Sequence, residues 1–148
     1  MAAYRLDVIS LAPQAFAPLE ELGVIGRAFA AGRAELYLHN PRDHATDRYR
    51  KVDDEPYGGG AGMVLKPEPL FESIESMERE GTAVVYMSPD GENLSTPLAR
   101  ELAQETHLIV VSGHYEGIDQ RVRDCKVDRE ISIGDYVLTN GTLAAAVL

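Results

Sequence analysis

Short apolar runs alternate with amphipathic stretches along the chain. Residues 6–11 read as a first strand, and residues 34–38 as a second. Residues 13–22 and 24–31 carry a helical period, with Gly32 placed to stop the second helix. Residues 39–62 are polar and glycine-rich without a period, so they predict a long loop. In a compact domain such a loop is usually functional or mobile. Residues 67–80 predict a helix ended by Gly81. Residues 83–87 and 107–111 are continuous apolar runs, the pattern of strands buried on both faces. Between them, residues 95–104 predict a helix with Ser95 or Thr96 as N-cap and Pro97 in its first turn. A short helix over 118–124 and a half-buried strand over 126–131 follow. Strands alternating with helices predict an α/β fold with a mainly parallel sheet. Residues 142–148 (TLAAAVL) predict the opening turns of a helix without a stop signal, so the natural protein is expected to continue.

Composition narrows the class. A length of 148 residues at 45% hydrophobic content suits one domain with a real core. No run of eighteen apolar residues occurs, so no membrane-spanning helix is expected. The first residues lack a basic start followed by an apolar stretch, unlike a signal peptide. Cys125 is the single cysteine, which excludes an internal disulfide and a cysteine-rich zinc site. It is expected to be a small core residue, and a cytoplasmic location is the simplest reading. With 24 acidic and 14 basic residues the net charge is -10. That balance argues against nucleic-acid binding by this chain alone, because phosphate contacts need clustered Lys and Arg.

Three segments have the form of a ligand site, since open α/β sheets bind ligands at the carboxyl ends of their strands. They are VVYMSPDG (84–91), IVVSGHYEGID (109–119) and ISIGDYVLTNG (131–141), each a buried strand running into small or polar residues. Gly113, Gly117, Gly134 and Gly141 are expected to allow positive φ and close backbone approach to a ligand. Any one of them is more simply a tight turn; three such loops in succession favour a pocket. Glu116 reads equally as a partner for a ligand amino group or metal ion and as a helix cap. Asp119 reads as a cap. Tyr86 and Tyr115 read as core or pocket wall.

PYGGGAGM (56–63) holds three adjacent glycines, read either as close contact with a base or phosphate or as a hinge. GxxxxGK[ST] and GxGxxG are both absent, which weakens phosphate-loop and dinucleotide readings. The segment NPRDHATDRYRKVDDEPYGG carries Arg42, Arg48, Arg50 and Lys51 against Asp43, Asp47, Asp53, Asp54 and Glu55. On residues alone it reads first as a solvated loop with local ion pairs, and second as a substrate loop whose arginines touch phosphates. The four histidines lack metal-ligand spacing, and no GxSxG nucleophile motif appears.

Together, VISLAPQAF, GVIGRAFAAG, NPRDHATDRYRKVDDEPYGGGAGM, VYMSPDG, SGHYEGID and SIGDYVLTNG cover nearly the whole chain. In order and spacing they resemble the bacterial tRNA (guanine-N1)-methyltransferase family. The resemblance implies a SPOUT-class α/β fold, a mainly parallel sheet flanked by helices with a C-terminal trefoil knot. It implies a homodimer that uses S-adenosylmethionine and methylates the tRNA guanine next to the 3′ side of the anticodon. Carried over, the cofactor pocket comprises Tyr86, Met87, Ser88 and Pro89, then Gly113, Tyr115, Glu116 and Gly117. Its third part comprises Ser132, Ile133, Gly134, Tyr136, Leu138, Asn140 and Gly141. Gly58, Gly59 and Gly60 would approach the target guanine.

Guanine N1 must lose a proton before it can attack, so a general base is required. The family's base is an aspartate in a linker that falls beyond residue 148, before a second, tRNA-binding domain. The resemblance therefore implies that residues 1–148 form a truncated cofactor-binding domain, inactive alone. The chain departs from the family at Asn140-Gly141-Thr142-Leu143-Ala144, where Gly-Gly-Glu-Leu-Pro is common. A side chain at 140 is expected to narrow the pocket, and the missing Pro to alter the start of the last helix. Two other readings compete: a non-catalytic module holding an adenosyl ligand or RNA in the same fold, and an unrelated nucleotide-binding α/β domain.

Overall fold

The computed structural model describes residues 2–55, 62–114 and 117–148. A five-stranded sheet organises them, in the order β2-β1-β6-β5-β7. Its strands are β1 (Tyr4–Ile9), β2 (Ala34–His39), β5 (Thr82–Asn93), β6 (His107–Ser112) and β7 (Arg129–Ser132). Every pairing in it is parallel, as the alternating pattern predicts. Two short strands, β3 (Asp53–Asp54) and β4 (Val64–Leu65), form a separate antiparallel pair. The helices are α1 (Gly23–Ala30), α2 (Pro67–Met77), α3 (Thr96–Leu102), α4 (Gln120–Lys126) and α5 (Thr142–Val147).

The period-two alternation of the central strands sends neighbouring residues to opposite faces, and each face has its own core. Ile9, Val84, Tyr86, Ile109 and Val111 pack against Leu70, Ile74 and Met77 of α2 and Val122 of α4. Val8, Val85, Met87, Leu108 and Val110 pack on the other face against Leu98 and Leu102 of α3 and Ala144 and Ala145 of α5. Burial on both sides explains why β5 and β6 read as unbroken apolar runs.

Local chemistry sets the helix ends. Ser95 is the N-cap of α3, its hydroxyl accepting from the Leu98 amide at 3.2 Å. Asp119 caps α4 and accepts from the Arg121 amide at 2.9 Å. Gly32 and Gly81 take positive φ after α1 and after the turn that follows α2.

Several boundaries differ from the pattern. The first strand ends at Ile9 rather than Leu11. Residues 13–22 form two 3-10 helices, Pro13–Ala15 and Ala17–Glu21, instead of one α-helix. Pro13 and Pro18 lack amide donors, and Pro18 interrupts the i→i−4 ladder. The short helix starts at Gln120, two residues later than expected, because Asp119 caps it from outside. The long loop carries a 3-10 turn, Pro41–His44, and is pinned by the β3–β4 pair. The first buried strand does not end at Met87 but continues to Asn93 after an excursion. Met87 and Glu92 both register with Ile131, so residues 88–91 loop out between them. Gly91 makes this possible: a Cβ there would sit 2.5 Å from the Ile131 nitrogen. Cys125 is exposed rather than part of the core.

A candidate cofactor cleft at the carboxyl ends of the central strands

β5, β6 and β7 end side by side, and their exits form one cleft of about 280 Å³. The first loop contributes Tyr86, Met87, Ser88 and Pro89, and the second Gly113 and Gly117. The third contributes Ser132, Ile133, Gly134, Tyr136, Leu138, Asn140 and Gly141. The structure thus gathers in one place every sequence-predicted pocket residue that it describes. Tyr115 and Glu116, and the triglycine Gly58, Gly59 and Gly60, lie outside the described residues. The cleft also includes His114, Ile131, Val137, Thr139 and Ala144, which sequence reasoning did not single out. Of these, His114 was within reach, since it stands between two expected pocket residues.

Hydrogen bonds between the loops hold the cleft's shape. The Gly141 amide donates to the Gly113 carbonyl at 2.7 Å, tying the third loop to the second. Ser132 Oγ donates to the Gly134 carbonyl at 2.9 Å and accepts from the Gly134 amide at 3.2 Å. Asn140 Oδ1 accepts from the Thr142 amide at 2.9 Å. The residue expected to narrow the pocket therefore also holds the first amide of α5, whose N-cap is Gly141.

The glycines work here mostly through space. Of the four expected to allow positive φ and close approach, only Gly117 has positive φ, at +123°. At Gly113 a Cβ would stand 3.1 Å from Tyr86 Cε1, and at Gly141 2.7 Å from the Gly113 nitrogen. At Gly134 a Cβ would collide with the Tyr136 ring. Gly141 meets the second loop backbone to backbone, whereas Gly113 and Gly134 make room for the Tyr86 and Tyr136 rings.

The electrostatics of the cleft are quiet. Burial raises the Tyr86 hydroxyl pKa, partly opposed by the Arg123 guanidinium, which lies 5.6 Å from the Tyr86 ring centroid. Burial lowers the His114 pKa, and the positive charge of Arg42 lowers it further, so this imidazole is neutral near pH 7. Among the described residues, no group of three or more His, Cys, Asp or Glu side chains could hold a metal ion.

A second polar assembly, which sequence reasoning missed, lies in the same sheet. Asp7 is fully buried on β1. Its carboxylate accepts from Nε2 of His39 at 2.6 Å, from Nε2 of His107 at 2.6 Å and from Arg5 at 2.7 Å. His107 Nδ1 in turn meets Thr82 Oγ1 at 2.7 Å. Burial alone would raise the Asp7 pKa, but these donors hold it well below the usual carboxylate range. Only an apolar strand broken by one Asp hinted at it; pairing partners 32 and 100 residues away cannot be read from spacing.

The whole chain now bears comparison with known proteins. A family model described as tRNA (Guanine-1)-methyltransferase TrmD matches residues 4–148. The chain belongs to this family. A tRNA (guanine-N(1)-)-methyltransferase of Synechococcus sp. (strain WH7803) is 60% identical over 150 residues, covering 100% of this chain and 62% of the relative. One from Chloroflexus aggregans is 54% identical over 148 residues, covering 97% and 58%. One from Xanthomonas campestris pv. campestris (strain B100) is 52% identical over 147 residues, with the same coverage of 97% and 58%. The chain thus spans about three fifths of the length of these curated relatives. Among the described residues no helix is long and apolar enough to cross a membrane.

Proposed function

We propose that this chain is the cofactor-binding part of an enzyme that transfers a methyl group from S-adenosylmethionine to N1 of a tRNA guanine. The guanine is the one on the 3′ side of the anticodon. The observation that carries the reading is the convergence of three strand-end loops on one cleft, in a member of this family. The cleft's 280 Å³ stands at the small end of ligand sites, which run from roughly 300 to 1,000 Å³.

The donor set fits an adenosyl sulfonium. Met87, Ile131, Ile133 and Leu138 offer apolar walls for the adenine, and the glycine contacts let main-chain groups approach its edge. Carboxylates are scarce among the described lining residues, in keeping with a ligand recognised by shape and backbone. When bound, the cofactor supplies an electrophilic methyl group. The chain's own residues orient it and exclude water.

The reading extends to parts that the cleft does not contain. The general base for guanine N1 and a second, tRNA-binding domain belong to sequence outside these 148 residues, so the chain alone should not methylate tRNA. The loops of residues 84–141 belong to a C-terminal trefoil knot. The family pattern further implies a homodimer and a cytoplasmic location. Exposed Leu22, Val24, Ile25, Val137, Leu143 and Val147 provide apolar surface for such a dimer.

Calorimetry tests the central claim. The chain should bind S-adenosylmethionine and ignore ATP; heat with ATP and none with the sulfonium ligand would refute it. The longer protein should methylate an anticodon stem-loop carrying guanine at the target position and fail when adenine, which has no N1 proton to lose, replaces it. Light scattering should return twice the monomer mass.

A further inference from the structure

The segment after β2 contains a built cation–aromatic turn that the cofactor reading does not use. Asp47 organises it: its carbonyl accepts from the Arg50 amide at 3.1 Å, and its carboxylate from the Lys51 amide at 2.8 Å. Arg50 is held at φ +51°, the one described non-glycine residue in the left-handed region. Such conformations persist where the surroundings hold them and cluster at functional sites. At the crest, the Tyr49 ring is 82% exposed, with the Arg48 guanidinium 5.7 Å from its centroid.

Hydrogen bonds connect the turn to the cleft. The Lys66 amide donates to the Val52 carbonyl at 2.7 Å, and β3 pairs with β4. The Leu65 amide then donates to the Gly117 carbonyl at 2.9 Å, on the second cleft loop. One short antiparallel pair therefore ties the segment that follows Tyr49 to the second cleft loop. Arg42, at the start of the same segment, is close enough to His114 to lower its pKa.

Among the described residues, no carboxylate lies within ion-pair distance of Arg48 or Lys51, and Arg50 reaches Asp43 only at 3.6 Å. Arg5, Arg121, Arg123, Lys126 and Arg129 are tied to acids at 2.8 Å or less, so the turn's cations belong to the part of the basic set whose charge is not neutralised by a neighbouring acid. Asp53, Asp54 and Glu55 follow closely, so the turn is a local feature and not a broad basic face.

We propose that this turn is an RNA contact: one unstacked base lies on Tyr49, and the flanking phosphates meet Arg48, Arg50 and Lys51. The chemistry is that of single-stranded recognition, in which an aromatic platform takes any base and nearby cations take the backbone. The proposal rests on the methyltransferase reading for its choice of RNA, and it places the strand beside the cofactor cleft. It also answers the charge conflict, because local cations at the rim serve where the net charge of -10 does not.

Fluorescence anisotropy with a labelled 17-nucleotide anticodon stem-loop tests it on the 148-residue chain. Tyr49→Ala should weaken binding roughly tenfold, and Tyr49→Phe should restore it to within about twofold. Arg48→Ala and Lys51→Ala should each lower the slope of log affinity against log salt by about 0.7. Heparin, which carries charge but no bases, should not distinguish Tyr49→Ala from the parent. Calorimetry of S-adenosylmethionine should be unchanged in all four variants, which separates loss of the turn from loss of the fold. RNA binding unaffected by Tyr49→Ala, or no RNA binding by the parent chain, overturns the proposal. RNA binding that depends on Tyr49 without any sulfonium binding would leave the turn standing and defeat the cofactor reading.

Discussion

The cleft and the Asp7 assembly occupy the same sheet and are built on opposite principles. At Asp7, a buried charge is surrounded by donors until both carboxylate oxygens are taken. At the cleft, glycines make room for the Tyr86 and Tyr136 rings and for the Gly113–Gly141 contact, and a space of about 280 Å³ remains. A saturated polar cluster has little left to offer a ligand, whereas loops that meet backbone to backbone leave groups and volume available. In this chain, therefore, the most strongly perturbed acid marks a structural joint and not the candidate cleft. Perturbed ionisation alone would have pointed to β1 and not to the exits of β5, β6 and β7.

Removing the charge should expose that contrast most strongly. Asp7→Leu leaves His107 buried beside an apolar group, and it should cost about 3–5 kcal/mol of stability in urea denaturation. Cofactor affinity measured on the folded fraction should change little; a selective loss of affinity without loss of stability would dissolve the distinction between the two regions. Acid should act through the same group. Because Asp7 has a lower pKa folded than unfolded, its contribution is complete above the unfolded value of about 3.9. It disappears as pH falls through the lower folded value, and Asp7→Asn should flatten this part of the stability curve.

Gly141→Ala probes the other principle. Its methyl group would press on the Gly113 backbone nitrogen, and either the second or third loop must move. A cost of about 1–3 kcal/mol is expected, with at least a tenfold loss in affinity for S-adenosylmethionine. Unaltered binding by calorimetry would mean that the close approach of the two loops is unimportant to the site. The smallest effect belongs to Ser95→Ala, which removes the α3 cap far from both regions. It should cost about 1 kcal/mol by thermal denaturation and leave cofactor binding as it was.

Much of the architecture was legible because it depends on local pattern. The apolar runs at 83–87 and 107–111 marked the two strands buried on both faces. Gly32 and Gly81 marked breaks, and Ser95 marked a cap. The excursion at 88–91 was not legible, since nothing local says that Glu92 will rejoin β7 beside Met87. The 3-10 helices were misjudged because their apolar spacing resembles an α-helix until the prolines are weighed. In the cleft, the motifs named the loops, and of the positive φ and close approach expected of the glycines, positive φ is found only at Gly117 while close contacts surround all four.

By itself the sequence determined the strand–helix alternation, the family and the loops that would carry a site, because each is written in neighbouring residues. Tertiary structure decided which side chains share space. It brought His39 and His107 to one carboxylate, bonded Asn140 to the first amide of α5, and tied the segment after Tyr49 to the second cleft loop. The physical reason is range. Propensity and periodicity act over a few residues, whereas hydrogen bonds and steric exclusion act over a few ångströms between residues that the chain separates widely.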